Sequence, residues 1–255
     1  MDTATLVDRL DDLLDTDEYA DLDASENGLQ VGRRDGTTER VAVAVDAAGA
    51  TIDRAVEREA DMLLVHHGLS WDGIDRVTGR THGRLSGLLE HDIDLYVSHL
   101  PLDGHQHLGN AAGVGDVVGL TDRNPFGELG PTYVGQHGSL DAPMDVQTLQ
   151  DTLARELDHG GEGVQVLPFG PDPIGDVAIV TGSGADWLDE AVDAGVDAFI
   201  TGEGKGKLYH QARESDITVF LGGHYATETF GVRSVAGRLE EWGLETVFID
   251  APTGL

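Results

Sequence analysis

The sequence predicts an α/β fold of two related α/β domains, with mixed or parallel sheets and flanking helices. Three observations predict it. Short β-branched apolar runs alternate with helical patterns, as in βαβ units. The same pattern returns in the second half of the chain. Ligand-type side chains gather where predicted strands end, the usual place for a site in an open parallel sheet.

The elements follow in order. Residues 4–15 put Leu6, Leu10, Leu13 and Leu14 on one helical face. Val41–Val45 reads as a buried strand, and a helix pattern runs through Ile52, Ala55, Val56 and Ala60. Met62–Val65 is a second buried strand ending at His66. A helix near His82–Glu90 and a strand Ile93–Val97 complete the first unit.

Residues 41–68, VAVAVDAAGATIDRAVEREADMLLVHHG, align without a gap on 177–204, VAIVTGSGADWLDEAVDAGVDAFITGEG, with 7 of 28 positions identical. Val41/Val177, Asp53/Asp189, Ala55/Ala191 and Asp61/Asp197 are among the matches. EHDIDLYVS (90–98) similarly resembles ESDITVFLG (214–222). Two βαβ units can share such a pattern by composition alone; an internal duplication is the alternative. The Gly- and Pro-rich stretches 121–131 and 160–173 read as turns or boundaries. Leu149, Leu153 and Leu157 mark a helix between them, and the chain closes with a helix over 227–242 and a strand over 246–249. The expected domains are 1–125 with 226–255, and 126–225.

Forty-seven acidic residues stand against 16 basic ones, a formal charge of −31 spread along the chain. Lys205 and Lys207 are its only lysines. Such self-repulsion is screened in molar salt, where the Debye length is about 3 Å, so a salt-adapted surface is expected. The same charge argues against nucleic-acid binding, which needs basic patches. No apolar stretch is long enough to span a membrane. The acidic start lacks the marks of a signal peptide, and there is no cysteine. A cytoplasmic protein is expected.

Four strand-end segments carry the chemistry. LLVHHG offers His66 and His67. YVSHLPLDGHQHLGN offers His99, Asp103, His105 and His107. LGGHYATE offers His224 and Glu228, four apart and on one face if a helix has begun. TGEGKGK offers Glu203, at the repeat position of His67. Imidazole with carboxylate suits Zn, Mn, Fe or Ni. Five or more such groups exceed one tetrahedral site, and bridging carboxylates allow two metals. The dinucleotide fingerprint, the phosphate-binding Walker loop and the nucleophile elbow are all absent from the sequence.

ENGLQVG (26–32), the paired histidines, SHLPLDGHQHLGN, the TGSG and TGEG segments and GGHYATETFGV together resemble the Nif-three-like family, also called GTP cyclohydrolase 1 type 2 homologues. The resemblance covers nearly the full length. It implies a dinuclear metal centre, two related α/β domains and a toroidal homohexamer. By position it implies His66, His67, Asp103, His224 and Glu228 as ligands of two divalent ions, with a carboxylate bridging. The family usually has Pro after the paired histidines, where this chain has Gly68. His105 and His107 lie outside its core pattern.

The resulting expectation is a metal-dependent hydrolase acting on a nucleotide or another phosphorylated, anionic small molecule. Glu203, His99 and His210 are candidates for proton transfer, and Lys205 and Lys207 for substrate phosphate. The alternative is a non-catalytic metal-binding protein: a store, a chaperone or a regulatory partner.

Overall fold

The structure, a computed structural model, describes residues 1–157 and 163–254. The chain opens with α1 (Thr3–Leu13), whose N-cap Asp2 accepts a hydrogen bond from the Thr5 amide. Then come β1 (Gly28–Val31), β2 (Arg40–Asp46), α2 (Gly49–Glu57), β3 (Met62–His67), α3 (Gly79–Glu90), β4 (Asp94–Val97) and the single turn α4 (Leu100–Gly104). The next elements are α5 (Asn110–Val118), β5 (Leu120–Leu129), β6 (Thr132–Met144), α6 (Val146–Glu156), β7 (Gln165–Pro168) and β8 (Ile174–Ile179). After them come α7 (Leu188–Asp193), β9 (Ala198–Thr201), α8 (Leu208–Glu214) and β10 (Thr218–Leu221). The last elements are α9 (His224–Thr227), α10 (Thr229–Glu241) and β11 (Glu245–Phe248).

The chain divides into two compact units, one of Met1–Leu102 with Gly231–Ala251, the other chiefly Asp103–Phe230. The first holds a five-stranded sheet in the order β1-β4-β3-β2-β11. All of it is parallel except β1, which runs antiparallel to β4. Val41–Val45 and Met62–Val65 are wholly buried, as parallel strands covered on both faces must be. Ile52, Leu63, Leu88 and Leu95 lie in the core of this unit. The second unit holds a six-stranded sheet, β5-β6-β8-β9-β10-β7, whose parallel centre is β8, β9 and β10. Leu149, Leu153, Ile179, Ile200 and Phe220 lie in its core.

The two sheets repeat one another at the level of single hydrogen bonds. Val41 pairs with Met62 in the first unit, and its aligned partner Val177 pairs with Ala198 in the second. Met62 pairs with Asp94, and Ala198 with Thr218, as the second alignment requires. Asp61 Oδ2 accepts from the amides of Glu39 and Arg40 at 2.8 and 2.9 Å. Asp197 Oδ2 accepts from the equivalent amides of Gly175 and Asp176 at 2.7 and 3.0 Å. Chance similarity of two βαβ patterns does not reproduce the register and the side-chain clamp together, and an internal duplication does.

Two expectations change. Residues 121–131, read as a turn, instead form most of β5, an edge strand. An edge tolerates Pro125, which has no amide to donate. A bulge between Thr121 and Asn124, with Asp122 at φ 47°, absorbs the irregularity. The turn itself is confined to Gly130 and Pro131. Of the 160–173 stretch, 160–162 lie outside the described residues, and 165–168 form the opposite edge strand, β7. The helix read over 227–242 is present as α10, beginning at Thr229 because Glu228, at φ −104° and ψ 5°, first caps α9.

Candidate functional site

In the first unit the donors sit at the carboxyl ends of β2, β3 and β4. β3 runs through both paired histidines, and His66, His67 and His99 bring ligand nitrogens within 4.8 Å of one another. Each imidazole is held through Nδ1. His66 Nδ1 donates to the Ser98 carbonyl at 3.0 Å. His67 Nδ1 meets Asp46 Oδ1 at 2.9 Å, and His99 Nδ1 meets Asp23 Oδ1 at 2.8 Å. A carbonyl or carboxylate oxygen accepts, so Nδ1 carries the hydrogen and Nε2 is the nitrogen a metal would take. Oxygen partners of this kind orient metal-binding histidines and raise their basicity. Burial alone would push the Asp23 carboxyl up. The hydrogen bond and charge of His99, with Asn27 and the Ser25 amide, bring it below its ordinary value instead.

The ENGLQVG segment positions this group. Asn27 Oδ1 accepts from the His99 amide at 2.8 Å, and Gln30 Oε1 accepts from the Leu69 and Ser70 amides at 2.6 and 3.0 Å. A Cβ on Gly68 would lie 2.7 Å from both Gln30 Nε2 and Val97 Cγ2, so the tight passage beside Gln30 suits glycine there.

The second unit presents carboxylates and one imidazole. Asp103, in α4, is buried; its Oδ1 accepts from Asn110 Nδ2 at 2.8 Å and Thr181 Oγ1 at 3.2 Å. Asp103 and Glu228 each bring a carboxylate oxygen within 4.8 Å of the other. Glu228 is 3% exposed, and its Oε1 lies 3.2 Å from His224 Nε2. His224 Nδ1 lies 3.4 Å from Glu203 Oε1. Burial lowers the His224 pKa, but the hydrogen bonds and charges of Glu228 and Glu203 prevail and raise it to about 9.

Glycines make room for Glu228. Gly182, in the TGSG segment, has φ +57°, and a Cβ there would lie 2.0 Å from Glu228 Oε1. Its carbonyl accepts from the Glu203 amide at 2.9 Å, and the Gly202 carbonyl accepts from the Gly223 amide at 2.9 Å. The three strand ends are thus tied together beneath the carboxylate.

The remaining candidates lie apart from these groups. Lys205 and Lys207 both pair with Asp186, which they hold below the ordinary carboxylate range. His105 Nδ1 accepts the amides of His107 and Leu108, closing a turn. His210 is exposed on α8, its ring perpendicular to Tyr209. Reasoning from the sequence missed Asp23, Asp46, Ser98 and Thr181. Only the repeat carried a signal for any of them, since Asp46 aligns with Gly182.

Comparison with known proteins gives the family. Residues 1–254 match the Duf34/NIF3 (NGG1p interacting factor 3) family. The chain belongs to that family. It is 54% identical to a GTP cyclohydrolase 1 type 2 homolog of Halobacterium salinarum, with 100% of both chains covered. It is 41% identical to the protein of the same name from Archaeoglobus fulgidus, again over 100% of both. Among solved structures it resembles protein ybgI, of unknown function, at 34% identity and TM-score 0.92, and TTHA1606 of Thermus thermophilus at 38% and 0.90, each over 100% of both chains. Family members share the two-unit α/β fold, and the His, Asp and Glu groups described above can hold a metal ion. Among the described residues no helix is long and apolar enough to cross a membrane.

Proposed function

We propose that this protein binds two divalent metal ions through His66, His67, Asp103, His224 and Glu228, and uses them to hydrolyse a nucleotide or another phosphorylated small molecule. The observation that carries the reading is the oxygen partner behind the imidazoles: Ser98, Asp46 and Glu203 face the Nδ1 atoms of His66, His67 and His224. Neutral imidazole with carboxylate fits Zn, Mn, Fe or Ni. Bound divalent ions would supply Lewis-acid polarisation of a substrate oxygen. The chain's own residues hold the donors still. Ser98 and Asp46 set two imidazole tautomers, Glu203 faces His224, and Thr181 and Asn110 orient Asp103. In this reading His99, backed by Asp23, and Glu203 are the groups for proton transfer. The relatives' name, GTP cyclohydrolase 1 type 2 homolog, suggests a purine nucleotide as substrate. The cytoplasm, a halophilic host and a homohexamer complete the reading; the Halobacterium relative supports the second and the family resemblance the third.

Elemental analysis of protein purified without chelators tests it, with two metals per chain expected. Glu228→Gln should lower occupancy at both positions. A variant that keeps both metals defeats the bridging role of Glu228. A wild type that holds two metals but hydrolyses no phosphorylated compound in molar salt points to a metal store.

A further inference from the structure

Beyond the imidazole group of the first unit lies a pocket with no assigned role. Its volume is about 580 Å³, and Leu69, Gly73, Ile74, Asp75, Arg76 and Thr81 line it. That size suits a small ligand. Leu69 is two residues beyond His67, so the pocket begins where β3 ends. The loop bearing it is pinned: Gln30 holds its first amides, Glu26 donates to the Ser70 carbonyl at 3.3 Å, and Asp72 donates to the Ala24 carbonyl at 2.7 Å.

Two features of the loop that carries the pocket, one of them beside the lining residues and not among them, give it a chemistry. The first is Trp71. Its ring stands at 76° to that of His99, centroids 4.9 Å apart, and 6.1 Å from that of His67, yet Trp71 is 41% exposed. An aromatic surface remains open beside the imidazoles. The second is charge. Residues 76–84 carry Arg76, Arg80 and Arg84 and no acid. Among the described residues none of these arginines forms an ion pair, whereas Arg33, Arg34, Arg40, Arg123, Arg155 and Arg238 do. In a chain of net charge −31, a segment with three arginines and no acid is the kind of place where an anion meets less repulsion. Asp75 and Arg76 both line the pocket, and Arg80 and Arg84 follow on α3. Guanidinium groups bind phosphate oxygens in a bidentate fork.

From these features we infer that the loop Leu69–Val77 and the start of α3 form a substrate-recognition pocket for a small molecule that joins a flat ring to a phosphate. The ring stacks on Trp71 and the phosphate is gripped by Arg76. This deepens the metal-hydrolase reading and rests on it: the reacting group would lie toward His66 and His67, and the pocket would select what is presented there.

Guanosine 5′-monophosphate and guanosine serve as probes, with the full-length protein as purified, at fixed ionic strength, binding being read by calorimetry and metal content measured on every sample. Arg76→Gln should weaken nucleotide binding at least tenfold and leave guanosine binding unchanged. Trp71→Leu should weaken both, and neither substitution should change metal content. Equal nucleotide affinity in wild type and Arg76→Gln, with metal retained, overturns the pocket and leaves the metal reading standing. So does a metal-loaded wild type that binds neither probe. A wild type without metal overturns the reading beneath it.

Discussion

His224 shows how much two carboxylates change one side chain. Glu228 and Glu203 flank its two nitrogens and raise its pKa to about 9, against the desolvation that opposes its charge. The folded-state value is above the unfolded one near 6.5. In metal-free protein the ion pairs therefore stabilise the fold fully below about pH 6.5, and that contribution is lost as pH rises through about 9. NMR titration of metal-free protein should find the His224 midpoint near 9, and Glu203→Gln should move it down. A midpoint near 6.5 in the wild type would show that the carboxylates do not hold the proton. The same reasoning orders metal uptake. A metal taking Nε2 must displace a proton, so binding should tighten as pH rises toward 9.

At the scale of elements, the strand ends matter more than the helices. In each unit one aspartate, Asp61 or Asp197, accepts two amides at the entry of the first parallel strand, and this fixes the register that delivers the next strand's end. In the second unit the turn after β8 is shaped by Gly182. Its φ of +57° costs an L-residue about 1–2 kcal/mol. A methyl group there also meets Glu228 Oε1, so the carboxylate has to leave its place. Gly182→Ala should lower stability by about 1–2 kcal/mol through the backbone and abolish metal binding that depends on Glu228. Gly237→Ala, inside α10 with nothing within 4 Å of the new Cβ, is the control. It should stabilise by about 0.5–1 kcal/mol and leave metal content unchanged. Full metal occupancy in Gly182→Ala would separate Glu228 from the site.

Over the whole molecule the governing quantity is charge. The chain carries −31, and several of its 16 cations pair with neighbouring acids, as in Arg40 with Glu245 and Lys205 with Asp186. Exposed ion pairs are worth about 0–1 kcal/mol each, too little to offset such an excess of like charge. Screening must supply the remainder. The Debye length is about 10 Å at 0.1 M and about 3 Å at 1 M. The thermal midpoint should climb steeply from dilute buffer to molar KCl, as followed by circular dichroism. A flat response would count against a halophilic surface.

The repeated βαβ units were legible in the sequence, and the alignment made β8 and β9 the counterparts of β2 and β3; which residues pair across them came from the structure. Buried parallel strands are continuous apolar runs, and a gapless alignment carries register with it. The paired histidines and the four-residue spacing of His224 and Glu228 were legible for a similar reason: both are local patterns. The β5–β6 hairpin was not, because Gly and Pro read as turns unless the strand is known to lie at an edge. The oxygens behind the imidazoles were not legible either. Asp23 reaches His99 across 76 residues, and Asp46 reaches His67 across 21. Nothing in the spacing of an aspartate says which ring it will face; sheet order decides that by bringing distant strand ends side by side. Composition and local period therefore settled the class of fold and the kinds of donor. The tertiary structure alone decided which nitrogen each donor presents, and that the Trp71 ring stands against His99.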